Sequence, residues 1–264
     1  IPTDITGTEV LEHNPETGDR IFRFFKGPVF ANIVLADEVN RSPARTQAAL
    51  LEVMQEKQIT VAGQTYFLPK PFTLIATQNS LDSDGVFHLG EAQVDRFLMM
   101  IEQDYPDPNE EKEVLYRTTG TYEADVTSVT SAEEIIAMQN MVKEVPVVPS
   151  VKKFALAIVR SSRSGEKDAS EIASEMVRLG ASPRATQALL LSGKVRALAS
   201  GRLHVTRQDI IDVAQPVMAH RLLLDFRAAA EGNDHHVILK ELIRKAEDVF
   251  RPSVSRWTRE LLRM

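Results

Sequence analysis

The chain contains no cysteine in 264 residues. Disulfides, thiol nucleophiles and thiolate metal sites are therefore excluded. No run approaches the roughly 18 consecutive apolar residues that span a bilayer. The opening segment Ile1-Pro2-Thr3-Asp4-Ile5-Thr6-Gly7 has neither the basic start nor the apolar body of a secretion signal, so no membrane partner and a cytoplasmic address are expected. Histidine is sparse, and the adjacent His235-His236 diverge by about a quarter turn on a helix, which suits a solvated surface pair better than a metal site. Positive charge is not in excess: the net charge is −6, which gives no broad attraction to nucleic acid. The arginines of the stretch 250–263 are read as one solvated helix face. The twelve glycines never fall into the spacing G-x-x-x-x-G-K-[ST]; Gly193-Lys194-Val195 lacks both the leading glycine and the terminal hydroxyl.

With 43% hydrophobic and 26% charged residues, the chain suits one large domain or two modest ones. Its first part mixes strand and helix signals. Val10-Leu11-Glu12 and Arg20-Ile21-Phe22-Arg23-Phe24 flank a turn-rich segment and predict a hairpin, as do Ile59-Thr60-Val61 and Gln64-Thr65-Tyr66-Phe67 around Ala62-Gly63. Two almost wholly apolar strands, Ile33 to Ala36 and Phe72 to Ala76, are separated by a helix from a Ser42 cap to about Lys57. That order predicts a parallel sheet covered on both faces. A last strand is expected over Phe97 to Ile101. The prolines of Asp104-Tyr105-Pro106-Asp107-Pro108 place a boundary near residue 107, dividing an α/β part, 1–107, from an all-α part, 108–264. Helices are expected near 109–117, 132–143, 151–161, 169–178, 183–199, 207–219 and 236–249. Asp107 with Glu110, Ser131 with Glu134, and Thr206 with Asp209 have capping-box spacing.

Ligands of open parallel sheets bind beyond the C-terminal ends of the strands. The first apolar strand ends in Asp37-Glu38 and the second delivers Asn79 to the same edge. A carboxylate pair and an amide there suit a magnesium-bound phosphate and its attacking water: Asp37 for the metal, Glu38 for the water, Asn79 to orient either. Arg96 reads as a guanidinium offered to a neighbouring subunit's phosphate, and Arg184, in the first turn of a helix, as a second phosphate sensor. Each also has a plainer reading, as a strand returning to solvent, an exposed Asp-Arg pair, or a surface residue near a cap.

Taken in this order, the residues resemble the AAA+ ATPases, and within them the MoxR family. The most specific stretches are Gly27 to Arg41, Thr46 to Glu52, Ala76-Thr77-Gln78-Asn79 and Glu91-Ala92-Gln93-Val94-Asp95-Arg96-Phe97. The resemblance implies an AAA+ α/β core followed by a helical lid. It makes Asp37-Glu38 the Walker B pair, Asn79 sensor 1, Arg96 the arginine finger and Arg184 sensor 2. It likewise makes the hairpins at 10–24 and 59–67 the helix-2 insert and pre-sensor-1 hairpin. ATP and Mg2+ are the implied cofactors. A homo-oligomeric, usually hexameric, ring is implied, with protein clients that often carry von Willebrand factor A domains. The chain departs from the family pattern in Ser80, His88 and Gly90.

Family members carry the phosphate-binding loop, Walker A, upstream of the point matching Ile1. The expectation is a chain truncated or unresolved at its N-terminus, with ATP hydrolysis belonging to the longer form. Two other readings stay open: a nucleotide-independent scaffold subunit that lacks the loop, and a magnesium-chelatase-type or DNA-translocating relative, which shares the Asp-Arg-Phe element.

Overall fold

A computed structural model of the protein describes residues 1–13, 20–79, 87–232 and 234–250. The first hairpin's turn, Ser80 and the arginines beyond Phe250 lie outside the described residues. The chain forms two compact units, Ile1–Gln93 with Thr130–Met138, and Val94–Val129 with Gln139 onward.

The first unit begins with a short helix, α1 (Pro2–Thr6), and an antiparallel hairpin of β1 (Gly7–His13) and β2 (Arg20–Lys26). Strand β3 (Ile33–Ala36) follows, then a 3-10 turn (Val39–Arg41) and α2 (Ala44–Glu56). A second hairpin, β4 (Gln58–Val61) and β5 (Gln64–Phe67), turns on Ala62 and Gly63 at φ 46° and 81°, the left-handed pair that matches strand twist. It leads to β6 (Thr73–Ala76), which lies parallel to β3. The helix α3 (Glu91–Val94) follows at the boundary between the units.

Leu50 and Val53 on α2 meet Val29, Val39, Ile59 and Leu68 in a small core, against which Ala36, Leu74 and Ala76 pack. Only one face of the β3–β6 pair is covered this way. On the other, Ile33, Leu35 and Ile75 are 67%, 64% and 50% exposed, contrary to the sheet covered on both faces that their apolar character suggests. Ser42 does not cap α2 either. Pro43 is the N-cap residue and has no side-chain bond, and the amides of Thr46 and Gln47 donate to its carbonyl.

The second unit holds α4 (Pro108–Thr119), the C-terminal part of α5 (Ala132–Glu144), α6 (Pro149–Ser161) and α7 (Glu171–Met176). Then come β7 (Val177–Leu179), α8 (Pro183–Ala199), α9 (Arg207–Asp212), α10 (Ala214–Met218), a 3-10 turn (Ala219–Arg221), β8 (Leu223–Leu224), α11 (Phe226–Ala230) and α12 (His235–Phe250). The three capping boxes form where their spacing places them, with Asp107, Ser131 and Thr206 each accepting from the amide three residues on.

Two predicted helices are shorter than their patterns. The one expected to reach residue 178 gives way at Val177 to a strand antiparallel to β8. The one expected over 207–219 divides into α9 and α10, because Pro216 has no amide hydrogen to continue the ladder. Residues 97–101 form no strand, since the amide of Met100 donates to Pro216 and not to a neighbouring strand. His235 is half-buried with Nε2 against the Leu222 carbonyl at 3.1 Å, so the histidine pair is not wholly solvated.

Phe154, Ile158, Leu189, Ile210, Met218, Ile238 and Leu242 form the centre of this unit, all fully buried. Gly193, inside α8, has a packing role: a Cβ there would stand 2.9 Å from the Ile210 Cδ1 and 3.2 Å from the Val205 Cγ1. Arg207 lies over the rings of both Phe154 and Phe250, 5.6 and 5.2 Å from their centroids. Removing the ring in Phe154→Ala leaves a cavity under that guanidinium, and urea unfolding should report a loss of about 3–5 kcal/mol. A loss under about 1 kcal/mol would contradict the packing described.

Candidate active site

The register of the parallel pair sets Ala36 opposite Ala76, so the next residues, Asp37 and Thr77, emerge side by side. The Thr77 hydroxyl donates to Asp37 Oδ1 at 2.5 Å and accepts from the Glu38 amide at 2.8 Å. One hydroxyl thus fixes the side chain of one carboxylate and the backbone of the next. The Val39 amide donates to the Thr77 carbonyl at 3.0 Å, extending the pairing past both strand ends. Glu38 takes a left-handed backbone, φ 48° and ψ 49°, which turns the chain sharply into the 3-10 segment. Its carboxylate meets Arg41 Nη1 at 3.3 Å, a half-exposed pair of small energetic weight.

Two buried amides behind this edge hold it in place. Asn40, 5% exposed, donates through Nδ2 to the Asn79 carbonyl at 3.1 Å, fixing the Asn79 segment to the carboxylate-bearing one. Gln47, on α2, donates to the carbonyls of Val39 at 3.1 Å and Phe87 at 2.7 Å, and the Phe87 amide donates to Asn40 at 2.7 Å. A cavity of about 200 Å³ opens beside Asp37, bounded by Ile5, Val34, Val39, Gln47 and Leu50.

The two arginines singled out in the sequence belong to the helical unit. Arg96 is exposed, with no ion-pair partner among the described residues. Arg184 reaches Asp95 Oδ2 at 3.0 Å, and Ser182, the N-cap residue of α8, holds both Asp95 oxygens at 2.9 Å. The residue that sequence reasoning missed is Arg221. Its side chain is only 2% exposed, and its Nε lies 3.1 Å from Asp95 Oδ1. Its remaining N–H groups donate to the carbonyls of Asp95, Phe97, Leu98 and Val217. That capture of carbonyls is why the segment after Arg96 is no strand. Burial opposes the charge on Asp95, but Ser182, Arg184 and Arg221 together outweigh it and hold the carboxyl below the usual carboxylate range. Burial lowers the Arg221 pKa from its ordinary value, with Asp95 opposing.

A family model described as the ATPase family associated with various cellular activities matches residues 1–99. A model of the AAA lid domain matches 169–242. Chaperone MoxR1 of Mycobacterium tuberculosis is 36% identical over 92% of the chain, which spans 63% of that relative's length. The Bacillus subtilis protein YeaC is 36% identical over 92% of the chain and 72% of its own length. The chain belongs to the MoxR family of AAA+ ATPases. A solved structure from Cytophaga hutchinsonii, described as an ATPase by assignment, is 38% identical and superposes with a TM-score of 0.84 over 93% of this chain and 73% of the other. Protein MoxR of Methylorubrum extorquens is 28% identical over 84% of the chain and 69% of its own length.

MoxR-family membership implies ATP and Mg2+, and the donor set at the strand edge fits a magnesium ion. Asp37 is exposed and has one oxygen set by Thr77, and no cluster of three or more potential ligand side chains occurs among the described residues. Magnesium takes this arrangement, one or two carboxylates completed by water and phosphate, in preference to an all-protein cage. No helix among the described residues is long and apolar enough to cross a membrane.

His220 adjoins the Arg221 network, its Nε2 3.2 Å from the Phe97 carbonyl, and burial, with the nearby Arg221 charge, pushes its pKa down to about 4. Unfolded, the ring takes up its proton near 6.5. Between those values the unfolded chain binds a proton that the folded chain refuses, so stability falls as pH drops through the window. The expected slope is up to about 1.4 kcal/mol per pH unit, read as the difference between wild type and His220→Gln in urea titrations. Equal slopes in the two proteins would refute it.

Proposed function

We propose that the full-length protein is a MoxR-type ATPase that uses ATP hydrolysis to remodel or mature partner proteins, and that this chain contributes its water-activating and phosphate-sensing residues. The observation that carries the reading is the Thr77 hydroxyl between Asp37 and Glu38 at the end of a parallel strand pair. It fixes the Asp37 carboxylate through one oxygen and the Glu38 residue through its backbone amide, and catalysis by preorganised groups needs such positioning.

Asp37 would hold Mg2+, which when bound neutralises charge on the transferring phosphoryl group. Glu38 polarises the attacking water as a general base. Asn79 orients that water or a γ-phosphate oxygen, its backbone already fixed by Asn40. Arg184 reads the phosphates from the lid. Arg96 acts across subunits in a ring, and its exposure, with no ion-pair partner among the described residues, supports that role. A hexamer and clients with von Willebrand factor A domains follow from the family resemblance.

In the full-length protein Glu38→Gln should keep Mg·ATP affinity and lose hydrolysis by about 10²–10⁴-fold, the range for removal of a general base. Retained turnover in a folded variant would end the assignment of Glu38. Arg96→Ala should bind ATP but lose turnover by about 10³-fold or more. Mixing it with Glu38→Gln subunits should restore part of the activity, because a mixed interface in one of its two orientations combines an intact Glu38 with an intact Arg96. Failure of any mixture to recover activity would argue that Arg96 does not act in trans.

A further inference from the structure

Asp95 is shared by two guanidinium groups under very different constraints. Arg221 has no freedom to leave: it is 2% exposed and committed to four carbonyls besides the carboxylate. Arg184 touches Asp95 through one nitrogen at 3.0 Å, and its side chain is 50% exposed. Asp95 itself is 13% exposed and sits against the first turn of α8, where the Ser182 hydroxyl donates to it and accepts from the Arg184 amide at 3.1 Å. The amino end of a 17-residue helix, a hydroxyl and an arginine form the seat an anion would take. Here a carboxylate of the same chain fills it.

We propose that Asp95 is an internal stand-in for a nucleotide phosphate. It is a positioning residue that holds Arg184 in reserve and surrenders it when ATP binds, while Arg221 keeps Asp95 in place throughout. This rests on reading Arg184 as a phosphate sensor. The asymmetry of the two pairs decides which guanidinium moves. Breaking the buried pair would strand a charge, whereas the exposed one is worth only a small factor. The exchange therefore lowers ATP affinity modestly and makes Arg184 engagement conditional on a ligand with more negative charge than one carboxylate.

The test is calorimetric titration of the full-length protein with Mg·ATP. Asp95→Asn keeps the size of the side chain and an oxygen for Ser182, and removes the competing charge. It should tighten ATP binding about two- to fivefold, the factor equivalent to one exposed ion pair. The gain should vanish when Arg184→Ala is added. Unchanged or weaker binding in folded Asp95→Asn, or the same gain without Arg184, overturns the proposal. Because Asp95→Asn leaves Arg221 without its counter-charge, a second measurement uses the unmutated protein. The Asp95 carboxyl carbon resonance should move on saturation with Mg·ATP, and a stationary resonance overturns the exchange. Absence of any ATP binding by the wild type would sink this inference together with the functional reading. ATP binding without Arg184-dependent coupling would sink the inference alone.

Discussion

Four residue pairs, Ile33 to Ala36 against Thr73 to Ala76, determine where the proposed chemistry of this protein sits. Parallel strands run out in the same direction, so whatever follows them is delivered to one edge. The following residues are Asp37 and Glu38 on one strand, Thr77 and Asn79 on the other. A slip of one residue would turn Val34 or Leu74, whichever strand moved, to the open side and take Thr77 away from Asp37. The core of Leu50, Val53 and Ile59 resists such a slip, because it accepts only one set of alternate side chains from the pair.

The helical unit gathers its own candidate residues by a different means. Arg221 collects a carboxylate and a series of carbonyls that no secondary structure has satisfied. Buried polar groups need partners, and one guanidinium with five donors meets several such needs at once. The buried ion pair is weak evidence of stability in itself, since removing water from both charges offsets much of their attraction. What it does is fix one conformation of the segment around Asp95, and with it the places of Arg96 and Ser182.

Features made by near neighbours in the chain were readable in advance. The capping boxes at Asp107, Ser131 and Thr206, the Ala62-Gly63 turn and most helix spans depend on residues within one turn of each other. The pairing of the two apolar strands was also legible, because their composition and the helix between them leave few topologies. Ser42 and Ser182 mark the limit of such reading. Both precede Pro, Ala, Arg and Thr-Gln in similar order, yet only Ser182 caps its helix, because Ser42 ends a 3-10 turn whose geometry is set by Glu38. Thr77 stood inside a recognised stretch without its role being visible. Arg221 gave no local sign: apart from the Val217 carbonyl its partners lie more than a hundred residues away, and an arginine before three leucines reads like any other near a helix end.

The hold on Asp95 and Phe97 has an entropic consequence for the residue between them. Arg96 is exposed at its side chain, but the backbone on either side of it is tied to Arg221. Fixing a residue's backbone costs about 1–2 kcal/mol in lost freedom. For Arg96 that cost falls on the folding of the helical unit and not on the proposed encounter with a neighbouring subunit, which would have only the side chain left to order.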